Sequence, residues 1–150
     1  MKLEFSGAPE IPASRTTVWK RLMDPHFVAA SAPGLESVEA VDPTHFRVVS
    51  GLGIGPVRLQ FKLDVELSDI VEGERLRMRA RGRAPGSEVE VISAVRLEET
   101  GAAGTRLTWS AVSALSGAVA SVGGRLVEGT ARKLTEEFWS DFARRAGERR

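Results

Sequence analysis

The chain has 150 residues, no cysteine, and a formal charge of +1 from 21 basic and 20 acidic side chains. Without cysteine there are no disulfides, thiolate metal sites or cysteine nucleophiles, which fits a reducing compartment. The charge balance lacks the basic excess of a nucleic-acid-binding domain, Met1-Lys2-Leu3-Glu4-Phe5 lacks the apolar run of a signal peptide, and no stretch approaches the ~20 apolar residues of a membrane span. The expectation is one cytoplasmic domain over residues 1–150, of a size that buries roughly 68–70% of its unfolded surface.

Leu3 to Ala8 reads as a first strand. Ser14 is a good N-cap for a helix over Arg15–Met23, striped by Val18, Trp19 and Leu22. Asp24-Pro25 starts a second short helix, His26 to Ser31, which ends before Pro33-Gly34. Strands follow at Glu36–Val41, His45–Leu52, Val57–Leu67, Arg75–Arg83, Glu88–Glu98 and Thr105–Leu115. The turns between them lie at Asp42-Pro43, Gly53-Ile54-Gly55-Pro56, Glu72-Gly73-Glu74, Pro85-Gly86 and Gly101-Ala102-Ala103-Gly104. The alternation is clean: Val57, Leu59, Phe61, Leu63, Val65 and Leu67 share one face, and Leu76, Met78, Ala80 and Gly82 another. Such one-sided strands make an antiparallel sheet, packed on one face and solvated on the other. A proline-free run from Ser116 to Arg145 closes the chain as one long helix. Strands followed by a helix give an α+β fold: a curved seven-stranded antiparallel sheet around a long C-terminal helix, with two short helices after the first strand.

The closing helix repeats Ala120, Gly123, Gly124, Val127, Ala131, Leu134, Phe138 and Phe142 at helical spacing. The first five are small and the last three large. Glycine and alanine laid against a sheet either pack very close or leave a void, and the void reading makes this end a ligand cavity. The large end then supplies the sealed core. Phe27, Phe61, Met78, Trp109, Ala120, Gly123, Gly124, Val127 and Ala131 are the candidate ligand-binding residues. Trp139 points away from this face, toward the first strand or solvent.

Acid–base or nucleophilic chemistry needs ionisable groups within reach of a substrate. The inner strand faces are aliphatic and aromatic, with Ser50, Ser93 and Ser113 as their polar members. No catalytic residue is assigned. The two histidines, His26 and His45, are too few for a zinc site, which gathers several ligands. Gly51-Leu52-Gly53-Ile54-Gly55 is followed by Pro56 and a strand, so it is a hairpin turn and not a phosphate loop. Arg75, Arg77, Arg79, Arg81 and Arg83 form one polar strand face, which Glu88, Glu90, Asp64 and Glu66 on neighbouring strands are placed to balance. Docking to an acidic protein surface is the functional alternative. Arg144, Arg145, Arg149 and Arg150 complement the helix dipole. At an anionic bilayer they contribute only weak, salt-sensitive attraction.

The order of elements, with Phe5-Ser6-Gly7, Ile11-Pro12-Ala13-Ser14, Val18-Trp19, Leu22-Met23-Asp24-Pro25, Ala32-Pro33-Gly34-Leu35, Gly53-Ile54-Gly55-Pro56-Val57 and the run Ser116 to Leu126 continuing to Leu134, resembles the helix-grip fold of the START-like and polyketide-cyclase-like superfamily. Within it, the chain resembles the CoxG family of carbon monoxide dehydrogenase. That resemblance implies a non-catalytic accessory protein of a molybdenum-containing carbon monoxide dehydrogenase or related hydroxylase. It also implies a tie to the inner face of the cytoplasmic membrane, and a hydrophobic molecule, a quinone or lipid, held in the grip cavity in place of any cofactor. Some relatives carry a C-terminal apolar anchor. The chain stops at Arg150 without one, so at most peripheral membrane contact is expected. The rival readings are a cyclase- or hydrolase-like enzyme on the same fold, marked by an ionisable group in the cavity, and a ligand-free docking scaffold.

Overall fold

Alternation, caps and turn residues set the architecture. The computed structural model describes residues 1–54, 56–101 and 103–148, without the side chains of Ile54 and Val57. Gly55 and Ala102 of the expected turns, and Arg149 and Arg150 of the basic tail, lie outside the described residues. The elements are β1 (Lys2–Gly7), β2 (Glu10–Ile11), α1 (Arg15–Leu22), α2 (Pro25–Ala29), β3 (Leu35–Asp42), β4 (His45–Ile54), β5 (Val57–Val71), β6 (Arg75–Ala84), β7 (Ser87–Thr100), β8 (Gly104–Gly117) and α3 (Gly124–Ala146). The strands form one curved antiparallel sheet in the order β1-β8-β7-β6-β5-β4-β3. The two-residue β2, hidden in the sequence between Pro9 and Pro12, also pairs with β8.

Both short helices start where their caps predict. The Ser14 hydroxyl accepts from the Thr17 amide at 3.2 Å, and Asp24 Oδ1 accepts from the His26 and Phe27 amides at 3.0 and 3.3 Å. Each satisfies an N–H that the first helical turn leaves without a partner.

The closing helix starts later than expected. β8 continues its alternation through Ser116 to Gly117, a 3-10 turn spans Ala118–Ser121, and α3 opens at Gly124. Gly117 (φ 80°) and Gly123 (φ 131°) hold backbone conformations that L side chains rarely adopt. These two glycines break the run that the absence of proline left continuous. At Gly117 an added Cβ would also meet the Gly86 carbonyl oxygen at 2.1 Å.

The core lies between the inner sheet face and the helices. Phe46, Val48, Phe61, Val65, Leu76, Met78, Val95, Leu107, Trp109 and Leu115 are buried from the sheet. From the helices come Val18, Trp19, Leu22, Phe27, Val28, Val127, Trp139 and Phe142. Trp139 is therefore a core residue, 3% exposed, and does not turn toward solvent or β1. It stacks on Trp109 with ring centroids 5.8 Å apart and planes 16° from parallel. The sequence pattern missed it because the C-terminal half of α3 is covered on two sides. Trp139 meets the sheet, while Phe142 meets Phe27 of α2 edge-on at 5.6 Å. A helix wedged between two layers buries a wider arc than one apolar stripe.

Gly7 shows how closely the sheet approaches the stacked indoles. It is the register partner of Trp109, and a Cβ there would lie 2.7 Å from Trp109 Nε1. Arg145 ties the end of α3 to α2. Its guanidinium lies over the Phe27 ring at 4.2 Å, donates to the Phe27 carbonyl at 2.6 Å and to the Ser31 hydroxyl, and pairs with Asp141 at 3.0 Å.

Candidate functional site

A cavity of about 220 Å³ lies between the middle of the sheet, α2 with the loop after it, and α3. Its floor is made by strand residues with short side chains among longer ones. Ala80 of β6 pairs with Val91 of β7, Met78 with Ser93, and Ser93 in turn with Ala111 of β8. All five line the cavity, as do Phe46 and Val48 of β4 and Leu63 and Val65 of β5. Its roof is Leu134, Thr135, Phe138 and Trp139 of α3, and Ala32 and Pro33 stand at its side. Leu63, Ala80 and Val91 point inward by alternation yet remain only half-buried. Solvent therefore reaches the inner face here, where the helices leave it uncovered.

The chemistry of the lining is narrow. No ionisable side chain contributes to it, and its side-chain hydroxyls belong to Ser93 and Thr135. Thr135 donates to the Ala131 carbonyl at 2.7 Å, one turn back along α3. Ser93 is 7% exposed. Such a surface holds a molecule by shape and exclusion of water, with one or two polar contacts to orient it.

Of the residues expected to bind a ligand, Met78 alone lines this cavity. Phe27, Phe61, Trp109 and Val127 are buried in the surrounding core. Ala120 and Ala131 are half-buried against it. Gly123 and Gly124 are exposed at the start of α3. A Cβ built on Gly123 or Gly129 meets nothing within 4 Å, and one on Gly124 meets only Met1 Cε, at 4.0 Å. The glycines thus face open space, and the cavity sits beneath the large residues of the helix. The usable signal was the pair of small inward residues on adjacent strands, Ala80 and Ser93, facing Ala111 on the next. They leave a hollow that the large residues of α3 bridge without filling.

The remaining polar candidates lie elsewhere. The inward serines are buried as alternation requires, and Ser50 Oγ has no hydrogen-bond partner. His26 is exposed on α2, and His45 Nε2 lies 3.4 Å from Asp64 on the outer face. Among the described residues no helix is long and apolar enough to cross a membrane.

The sequence matches the CoxG family of carbon monoxide dehydrogenase over residues 7–147. No curated protein matches it. Among solved structures, a conserved protein from Geobacillus kaustophilus superposes with a TM-score of 0.85 at 23% identity, covering 96% of this chain and 95% of that one. A START superfamily protein from Mycobacterium smegmatis gives 0.71 at 13% identity, with 95% and 96% covered. The Zhui aromatase/cyclase from Streptomyces sp. R1128 gives 0.67 at 14% identity, with 97% and 94% covered. These likenesses establish a START-like fold. The chain belongs to the CoxG family of carbon monoxide dehydrogenase.

Proposed function

We propose that this family member is a non-catalytic accessory protein that holds a small hydrophobic or amphipathic molecule in the 220 Å³ cavity. The observation that carries the reading is the lining: aliphatic and aromatic side chains from five strands and both covering helices, two hydroxyls, and no acid, base or metal ligand. Acid–base catalysis needs a proton donor or acceptor within hydrogen-bond reach of the substrate, and this surface offers only hydroxyls. The size is informative as well. A dry apolar cavity of about 150 Å³ accepts benzene, so this one accommodates a substituted ring or the end of an acyl chain. A quinone head group between Met78 and Trp139, oriented by Ser93, meets these limits. A longer tail leaves past half-buried Pro33 and Leu134. The family name supports a carbon monoxide dehydrogenase-type molybdenum hydroxylase as the enzyme served. The same reading places the complex at the inner face of the membrane, where such ligands reside.

Trp139 is a built-in reporter, because quinones quench indole fluorescence on contact. Titration with menadione is expected to give saturable quenching, and native mass spectrometry a one-to-one complex. Ala80→Phe fills the floor of the cavity and should abolish both signals. Gly124→Trp adds a larger ring at an exposed position and should leave both intact. If wild type shows neither signal, or A80F binds as well as wild type, the cavity is not the ligand site.

A further inference from the structure

We propose that the outer face of β6 and β7 is a docking surface for a protein segment that presents carboxylates around an apolar side chain. The surface is on the opposite side of the sheet from the cavity and does not depend on the cavity reading. It starts from the arginine row Arg75, Arg77, Arg79, Arg81 and Arg83, all exposed. The neighbouring carboxylates do not balance this row as strand alternation led us to expect. Glu90 alone serves two members, Arg79 at 2.9 Å and Arg81 at 3.2 Å. Arg77 reaches Asp69 at 3.5 Å, while Asp64 is taken by Arg47 at 3.1 Å. Among the described residues Arg75, Arg83 and Arg96 make no ion pair, and Glu72 and Glu74 in the adjoining turn reach none of them.

Register makes the excess costly. Arg75 of β6 and Arg96 of β7 are direct partners across the ladder. Like charges directly opposite one another destabilise a sheet. A merely solvated face has no need of this arrangement, because a threonine at either position would remove the cost. Two guanidinium groups on one rung instead form a clamp for a carboxylate, which each recognises through paired N–H donors.

The rungs beside this clamp are apolar. Arg77 faces Ala94, and Arg79 faces Ile92. Ile92 in turn faces Val112 of β8. Ile92 is 40% exposed and Ile70, near the end of β5, is 37% exposed. A groove of about 670 Å³ runs over Asp69, Arg75, Arg77, Ala94, Arg96 and Thr108. Arginine bordering exposed aliphatic side chains is the composition of a protein-binding patch. The recess selects the occupant: a projecting side chain enters it, with acidic neighbours on the arginines, whereas a flat bilayer surface does not. Carboxylates interleaved along the row, Glu66 and Glu90, repel a continuous phosphate backbone.

The probe is a synthetic peptide, acetyl-Glu-Asp-Leu-Glu-Ile-Asp-Glu-amide, titrated into isotopically labelled protein with amide shifts recorded by NMR. Saturable shifts confined to the outer rungs of β6, β7 and β8 are expected. Affinity should fall at least tenfold in Arg75→Glu/Arg96→Glu, and also when salt is raised enough to screen exposed charges. Lys133→Glu on α3 should have no effect, and Arg96→Gln should melt no lower than wild type while binding more weakly. Absence of shifts at millimolar peptide overturns the proposal. So do shifts centred on the arginines of α3, equal binding of a peptide with serine in place of its leucine and isoleucine, and perturbation of the same rungs by phosphatidylglycerol vesicles but not by the peptide.

Discussion

From Gly124 to Ala131, α3 carries small side chains and touches the core mainly through Val127, with Gly124, Arg125, Leu126, Glu128 and Gly129 exposed. From Leu134 to Ala146 it carries aromatic side chains and is wedged between the sheet and α2. Side-chain size alone places the ligand space at the first half, yet the cavity lies under the second. Large residues hold a helix at a distance. Trp139 rests on Trp109, and Phe142 rests on Phe27, so the backbone of α3 stands off the sheet by the width of these rings. Where the strand opposite offers Ala80, Ser93 or Ala111 instead of another ring, the gap stays open. Small residues on the helix create no such gap, because nothing faces them.

The sharpest way to break this contrast is to remove the pillar. Trp139→Ala deletes a buried ring that stacks on Trp109 and contacts Phe138 and Phe142. Large-to-small changes of this kind cost about 3–5 kcal/mol, from lost burial and the new void. Urea unfolding should show that loss. A loss below about 1 kcal/mol, within the range of a surface substitution, would mean that the aromatic end does not hold the helix in place.

This contrast also separates what was legible in the sequence from what was not. The sheet was legible because alternation has a period of two, and its inward set from Phe61 to Leu115 is the set found buried. The caps were legible because Ser14 and Asp24 act within three residues of themselves. The start of α3 was obscured because Gly117 and Gly123 end and begin elements through backbone angles, while helical spacing of small residues suggested continuity. The cavity belongs to no single segment. It is the difference between the volumes of side chains on five strands and on two helices, brought together by register. Ala80 and Ser93 were assigned to the inner face correctly, but their shortness acquires meaning only once Leu134 and Phe138 are known to lie opposite. Met78 was found because it is inward on a central strand. Trp139 was lost because the reading assumed one covered face.

The other half of α3 offers a gain in place of a loss. Gly129 lies inside the helix and is exposed, and a Cβ there meets nothing within 4 Å. Gly129→Ala should therefore recover the helix propensity that glycine forfeits, about 0.5–1 kcal/mol, chiefly by restricting the unfolded chain. A small rise in Tm with unchanged menadione binding is the expected result. Destabilisation would show that the glycine end is packed after all, and the contrast between the halves would fail.

The smallest effect tests the clamp that keeps the aromatic end against α2. Burial pushes the Asp141 carboxyl up, but hydrogen bonds from Arg144, Ser31 and Arg145 together outweigh it and hold the group below its ordinary value of 3.8. A carboxylate whose pKa is depressed by folding adds stability above the unfolded pKa and loses it as pH falls through the folded one. Asp141→Asn should therefore melt below wild type at pH 6, and the two curves should converge as pH falls below about 4 toward 2. The gap at pH 6 is modest, because the pair is partly exposed and solvent screens it. Raising salt should narrow the gap further if the Asp141–Arg144 contact supplies it, since Arg144 is the more exposed partner. It should leave most of the gap if Arg145 supplies it, held as it is between Asp141, the Phe27 ring and Ser31. The second outcome makes Arg145 the residue that fixes α2 over the cavity, with Asp141 setting its orientation.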